Sequence, residues 1–554
     1  MLRVALAQLN LRVGDIAENT RQSIAAIQQA KTAQADVILF PELTLSAYPP
    51  EDMVFRKDFL QQVAAALDTI KAESHGITVV IGYPACCEGA IYNTAGVFAE
   101  GVCLGEYAKR ELPNYKVYDE QRWFVPGLGS LLVEIKGVRC GILVCEDIWH
   151  DAPIADTVAQ GAEAVLVLNA SPYRHDKHAR RQQVVAAQAA RHHCPIAYAN
   201  LVGGQDELVF DGDAMLLDRQ GQRLFAGPLL EAGVFVAELP IDRPGDAAQL
   251  ARVEQQLAQR NAAIEQHMYQ ALVTGTRDYV HKNGFTGILL GLSGGIDSAL
   301  TLAIAVDALG AENVEAVMMP FHYTAEMSVE DAGKQAALLG VTYRTIPIEP
   351  LFNSFRDSLA ESFDGYAEDV TEENLQARIR GMLLMSMSNK FGKLLLSTSN
   401  KSESAVGYAT LYGDMAGAFA PLKDVYKTQV YRLANYRNTL GAAIPQRVID
   451  RPPSAELAPG QLDQNSLPEY DVLDAILTEI MEYDRPLTEI VAAGFAEGVV
   501  RRVMNLLLLS EYKRRQAAPG VRVTQRAFGK DWRYPITSGW RHQLPFNQDL
   551  RDNS

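Results

Sequence analysis

Apolar positions along the chain alternate between two periods. Short runs such as RVALAQL (3–9), ADVILF (35–40), ITVVIGY (77–83), RCGILVC (139–145) and AEAVLVLNA (162–170) are rich in Val, Ile and Leu, as buried strands are. Between them lie stretches such as TRQSIAAIQQAKTA (20–33), where alanine and glutamine dominate and apolar residues return at helical spacing. The rhythm runs to a last strand, AGVFVAELP (232–240). IDRPGDAAQ (241–249) then gathers Pro, Gly and Asp, and the polar helical pattern LARVEQQLAQRNAAIEQHM (250–268) follows. Further on, the pattern restarts with strand GILLGL (287–292), helix ALTLAIAVDAL (299–309), strand VEAVMMP (314–320), a helix, and strand TYRTIPI (342–348). The expected organisation is α/β throughout: a layered domain over residues 1–245, a linker over 246–264, and a doubly wound, Rossmann-like parallel-sheet domain over 265–554. Residues 450–472, DRPPSAELAPGQLDQNSLPEYDV, read as a long ordered loop of a kind more often functional than idle.

Composition narrows the function. The 554 residues are 48% hydrophobic and 21% charged, and the net charge of −16 argues against partners that are nucleic acids or anionic membranes. A small-molecule enzyme fits better. The start MLRVALAQLN reads as a strand rather than a signal peptide, and no run is long enough to span a bilayer, so a cytoplasmic location is expected. All six cysteines lie before residue 200 without the spacing of a zinc site, so they are read as thiols, and any thiol chemistry belongs to the first domain. Cys103, Cys140 and Cys194 read as core thiols.

In GILLGLSGGIDSAL, the run Gly291, Leu292, Ser293, Gly294, Gly295, Ile296, Asp297 and Ser298 joins an apolar strand to a helix. Glycines let backbone N–H groups approach an anion, serines add donors, and the helix N-terminus adds a favourable partial charge, which together make a phosphate cradle. No Walker lysine follows. Asp297 sits in that region instead, and an acid among phosphates suggests bridging Mg2+. The loop resembles that of the adenine-nucleotide α-hydrolase family, which cleaves ATP to AMP and pyrophosphate while adenylating a substrate. TEENLQARIRG (371–381), STSNKSESAVGYATLYGDMAG (397–417), PLKDVYKTQVY and PPSAELAPGQLDQNSLPEYD are similar to successive signatures of the NAD synthetase family. By that resemblance Asp297 and Glu403 hold magnesium, Thr398 and Lys427 contact ATP, and Asn374, Glu403 and Lys513 lie near deamido-NAD. Arg378 and Arg380 could equally sit on a solvated helix face.

The first domain carries FPELTLSAYPPEDM with Glu42, AKRELPNYKVYDEQRWF with Lys109, and GILVCEDIWH with Cys145. Taken singly, the cysteine could be a buried apolar residue, the lysine a surface charge and the glutamate a strand-end acid. A glutamate, a lysine and a cysteine each at or just past a strand end resemble the catalytic triad of the nitrilase (carbon–nitrogen hydrolase) superfamily, which implies an α-β-β-α sandwich. Tyr115, Ser171 and Lys177 match that family's glutamine-binding positions, and Asp119, Glu120 and Arg122 are candidates to brace the triad.

The resemblance to glutamine-dependent NAD synthetases runs to FGKDWRYPITSGWR near the end. It implies amide transfer from glutamine to deamido-NAD through an acyl adenylate, with ATP as co-substrate, and a homo-oligomeric assembly; because the ligase site should exclude water from the adenylate, an enclosed ammonia route between the two sites is also expected. Two ways of activating Cys145 stand open. A free thiol of pKa about 8.5 lacks roughly 2 kcal/mol of being thiolate at neutral pH, and a lysine about 4 Å away supplies something like 4 kcal/mol before desolvation. Alternatively, Glu42 removes the proton as the sulfur attacks.

Overall fold

The computed structural model describes residues 1–540 apart from Pro459. Pro459 of the 450–472 loop, Arg541 at the end of FGKDWRYPITSGWR and the rest of the expected second domain's C-terminus lie outside the described residues. The chain divides into two compact units, Met1–His267 and the part from Met268 on. Residues 246–264, read as a linker, hold the helix Ala247–Asn261, whose Asp246 accepts a cap bond from the Ala248 N–H. It packs against the first unit, with Gln249 Nε2 donating to the Leu224 carbonyl (2.8 Å) and Arg260 pairing with buried Asp213 (3.1 Å).

The strands are, in chain order, β1 (Leu2–Gln8), β2 (Val37–Leu39), β3 (Thr78–Cys87), β4 (Ala90–Ala99), β5 (Val102–Ala108), β6 (Leu132–Ile135), β7 (Val138–Val144), β8 (Ala164–Asn169), β9 (Ile196–Asn200), β10 (Val202–Gln205), β11 (Leu208–Asp211), β12 (Met215–Leu217), β13 (Arg223–Ala226), β14 (Gly233–Leu239), β15 (Ile288–Gly291), β16 (Val314–Met318), β17 (Thr342–Thr345) and β18 (Leu394–Leu396). The first unit holds two six-stranded sheets, ordered β14-β1-β2-β3-β4-β5 and β13-β12-β9-β8-β7-β6. In each, parallel neighbours (β1, β2 and β3; β7, β8 and β9) form the middle and antiparallel strands the edges. Alternation along β1 explains the layering. Leu2, Val4 and Leu6 join Ile142, Val144, Leu166 and Leu168 in a core between the sheets, while Ala5 and Ala7 face a second core with Ala26, Ile27 and Phe59 of the helices Ile16–Thr32 and Lys57–Ala72. Both faces of the strand are buried, so its sequence reads as a continuous apolar run. This is the α-β-β-α sandwich expected of a nitrilase-like unit.

In the second unit β17-β16-β15-β18 are all parallel. The helix Ile296–Leu309 that follows β15 is buried on nearly every side, which suits its almost wholly apolar sequence. Leu289, Val317 and Leu395 of the sheet pack with Ile379 and Leu384 of the helix Val370–Phe391. A separate helical core joins Leu473, Leu477, Val500 and Leu507. Among the described residues no helix is long and apolar enough to cross a membrane. All six cysteines are thiols; Cys140, Cys145 and Cys194 are buried, whereas Cys103, expected in the core, is exposed on the edge strand β5.

Candidate active sites

Glu42 follows β2 on a turn that crosses β3 at Gly82. A Cβ at Gly82 would stand 2.4 Å from the Leu43 nitrogen and 2.9 Å from the Pro41 carbonyl oxygen, so only glycine lets the turn come this close. Lys109 follows β5, and Cys145 follows β7 with a left-handed φ of 48°, opening the single-turn helix Cys145–Trp149. A non-glycine residue held there stores local strain, as functional turns often do.

These three strand ends meet in a buried cluster. Lys109 Nζ donates to Glu42 Oε1 (2.7 Å) and to Glu120 Oε1 (2.8 Å), and all three side chains are essentially inaccessible. Asn93 Nδ2 donates to Glu42 Oε1 (2.7 Å), the Ala170 N–H donates to Glu42 Oε2 (3.0 Å), and the Tyr48 hydroxyl donates to Glu120 (2.9 Å). Burial opposes the charge on Lys109, but Glu120 and Glu42 outweigh it and hold the ammonium well above the usual lysine pKa. Burial, with Glu42 adding to it against Lys109, pushes the Cys145 thiol far above its ordinary value. Of the two activation routes open from sequence, burial of the thiol weighs against a resting thiolate and so towards loss of the proton during attack. Burial also raises Glu120, to about 7, against the pull of Lys109. Two carboxylates thus share one ammonium.

Around this cluster the Tyr115 hydroxyl donates to Glu146 (2.9 Å), and its ionisation is influenced by Cys145. The Ser171 N–H donates to Asn200 Oδ1 (2.8 Å), while its hydroxyl is buried with no hydrogen-bond partner among the described residues. Lys177 Nζ donates to the Tyr118 hydroxyl (3.1 Å). Arg122 lies apart, pairing with Asp52 at the surface. Sequence reasoning left out Asn93 and Asp147. The only hint of Asn93 was a polar pair, Asn93-Thr94, inside an otherwise apolar strand.

In the second unit the phosphate-type loop borders a cavity of about 260 Å³. The run 291–298 lines it with the exception of Gly294, as do Thr398, Glu403 and Lys427. Gly294 has a φ of +81°, and a Cβ there would stand 2.4 Å from the Ser328 carbonyl oxygen. Ser293 Oγ accepts from the Gly295 N–H (3.2 Å) and lies 3.1 Å from Ser298 Oγ, which ties the loop to the helix start. Lys427 Nζ bridges Asp297 Oδ2 (2.5 Å) and Glu403 Oε1 (3.0 Å), and Asn400 Nδ2 donates to Asp297 Oδ1 (2.8 Å). Burial raises Glu403 to about 8, while Lys427 is held charged by Asp297 and Glu403 despite its own burial. Among the described residues no group of three or more His, Cys, Asp or Glu side chains forms a metal cage. Two carboxylates beside a phosphate loop nevertheless fit magnesium, which commonly takes one or two carboxylates together with phosphate oxygens and water.

Two of the expected contacts stand outside this cavity's wall. Asn374 accepts from the Thr410 hydroxyl (2.8 Å), and Lys513 donates to the carbonyls of Gly407 (2.8 Å) and Ala409 (2.9 Å) beside a smaller pocket. Arg380, which a solvated helix face could have explained, is instead half-buried in the cavity wall and donates to the Met319 carbonyl (3.0 Å). Arg451 also lines the cavity and donates to the Gly294 carbonyl (2.7 Å), so part of the 450–472 loop lies over the phosphate-type loop.

Residues 3–249 match the carbon-nitrogen hydrolase family and residues 268–517 match the NAD synthase family. The chain is therefore of the class that carries both catalytic families in one polypeptide. The glutamine-dependent NAD(+) synthetase of Xylella fastidiosa strain 9a5c is 49% identical over 546 residues, covering 98% of this chain and 99% of that protein. That of Thermotoga maritima is 43% identical, with 98% and 100% covered. A solved structure of glutamine-dependent NAD+ synthetase from Acinetobacter baumannii in complex with ADP is 44% identical, covers 98% of this chain and 100% of its own, and superposes with a TM-score of 0.76. The chain belongs to the glutamine-dependent NAD(+) synthetase family.

Proposed function

We propose that this chain converts deamido-NAD+, ATP, glutamine and water to NAD+, AMP, pyrophosphate and glutamate. The observation that carries the reading is the buried contact of Lys109 with Glu42, next to a cysteine whose ionisation both residues influence, in a chain that aligns with its relatives over nearly its whole length.

In the first unit, the Cys145 sulfur attacks the side-chain amide carbon of glutamine while Glu42 takes the thiol proton. Lys109 stays protonated and stabilises the oxyanion of the tetrahedral intermediate. Glu42 returns the proton to the departing nitrogen, so ammonia leaves and a glutamyl thioester remains. Glu42 then activates a water that hydrolyses the thioester to glutamate and regenerates the thiol. Tyr115, Ser171 and Lys177 bind the glutamine. The Ser171 hydroxyl, buried with no hydrogen-bond partner among the described residues, supports that assignment.

In the second unit, the nicotinate carboxylate of deamido-NAD+ attacks the α-phosphate of ATP and pyrophosphate leaves. Ammonia then displaces AMP from the acyl adenylate to form the carboxamide. The loop 291–298, Thr398 and Lys427 bind ATP, and Asn374, Glu403 and Lys513 orient deamido-NAD+. Asp297 and Glu403 would hold magnesium, which supplies neutralising charge for the leaving pyrophosphate. Homo-oligomeric assembly is carried over from the family resemblance. A cytoplasmic setting accords with the acidic net charge and the thiol cysteines.

Turnover with glutamine labelled with nitrogen-15 at the amide tests the whole sequence. The label is expected in the NAD+ carboxamide, with one AMP and one pyrophosphate per NAD+. Formation of ADP in place of AMP, or unlabelled NAD+ in a medium free of other ammonia, contradicts it.

A further inference from the structure

The reacting groups of the first unit come from different sheets. Lys109 leaves the end of β5 in one sheet and Cys145 leaves the end of β7 in the other. Face-to-face sheets meet through side chains about 10 Å apart, with no backbone ladder between them. Something else must fix the relative position of two strand ends whose side chains need to meet a substrate within a fraction of an ångström.

Asp147, two residues past Cys145, does this through all four of its strong contacts. Its Oδ1 accepts from the backbone N–H groups of Arg110 (3.1 Å) and Glu111 (2.8 Å), the two residues directly after Lys109. Its Oδ2 accepts from the Val144 N–H (3.0 Å), directly before Cys145, and from the hydroxyl of Tyr107 (2.9 Å), two residues before Lys109. An ordinary helix cap would need only the Val144 bond; the other three donors lie 36 to 40 residues away in sequence. The carboxylate is fully buried, and among the described residues no cation forms an ion pair with it. A buried charge without a counter-ion is costly, and its four donors are what it is held by.

We propose that Asp147 is a positioning residue that pins the lysine-bearing end of one sheet to the cysteine-bearing turn of the other. This rests on Lys109 and Cys145 acting on the same substrate.

The test is Asp147→Asn in the full chain. An amide offers one accepting oxygen, and its NH2 meets a donor that cannot turn away at Val144 or at the Arg110 and Glu111 pair. Glutamine hydrolysis is expected to lose about 30-fold in kcat, in line with the cost of sub-ångström misplacement, with the glutamine KM within about twofold and ammonium-driven NAD+ formation unchanged. Tyr107→Phe removes one of the four bonds and should lower kcat by about threefold. It decides the matter if Asp147→Asn also loses the ammonium-driven reaction through misfolding. Wild-type kcat in both variants, or a loss confined to KM, overturns the proposal. Cys145→Ala run alongside separates the two claims: if it still hydrolyses glutamine, the reading of the reacting pair fails, whereas an inactive Cys145→Ala beside a fully active Asp147→Asn removes only the pin.

Discussion

At the residue scale, the first site is a problem of shared charge. Lys109 lies between Glu42 and Glu120, and burial lifts Glu120 to about 7. Below that pH Glu120 carries its proton, and the ammonium pairs with Glu42 alone, which engages the carboxylate oxygen that must accept the thiol proton. Above it, Glu120 is ionised and draws part of the ammonium's field away from Glu42. The kcat/KM for glutamine hydrolysis is therefore expected to rise with pH through about 7. In Glu120→Gln that limb should disappear, and the rate at pH 8 should fall about tenfold, a modest share of what a general base contributes. An unchanged pH profile in Glu120→Gln would contradict this account of the ammonium. Glu42, Lys109 and Cys145 could be singled out in sequence because each stands at or just past a strand end. Glu120 was a candidate brace from the sequence, whereas Asn93 and Asp147 act through contacts made across 51 and 36 residues, and nothing in local periodicity reports such contacts.

At the element scale, apolar runs were legible where both faces of a strand are buried, as in β1, β2, β7 and β8. The hairpin β4–β5, which delivers Lys109, was not, because its edge strand is largely exposed and carries no clean alternation. The helix Ala247–Asn261 was legible as a helix but not as part of the first unit, since Val253 is its only fully buried apolar residue, Leu250 adds one partly buried contact, and much of the remaining attachment is polar. Arg380 illustrates the same limit: four-residue spacing marks a helix face, but not whether that face meets water or a cavity. Backbone proximity between elements yields a prediction. Gly82→Ala must push the Glu42 turn away from β3, because the nearest atoms are backbone. Glutamine hydrolysis should fall by more than about tenfold, with ammonium-driven synthesis retained. Full glutamine activity in this variant would show that the turn tolerates the shift.

At the scale of the whole molecule, each of the two units brings its own chemistry to strand ends: a thiol near a lysine that two carboxylates share in one, and a phosphate-type loop with Lys427, Asp297 and Glu403 in the other. The layered first unit and the parallel-sheet second unit followed from alternating periods. The pairing of strands across the sandwich did not, because sheet-to-sheet contact is non-local. The central claim is that Cys145 makes the nitrogen that the second unit uses. The most direct measurement is NAD+ formation from deamido-NAD+ and ATP by Cys145→Ala, supplied in parallel with glutamine or with an ammonium salt. The account predicts loss with glutamine and near wild-type synthesis with ammonium. Undiminished glutamine-driven synthesis by this variant would contradict it and return Cys145 to the role of a buried core thiol.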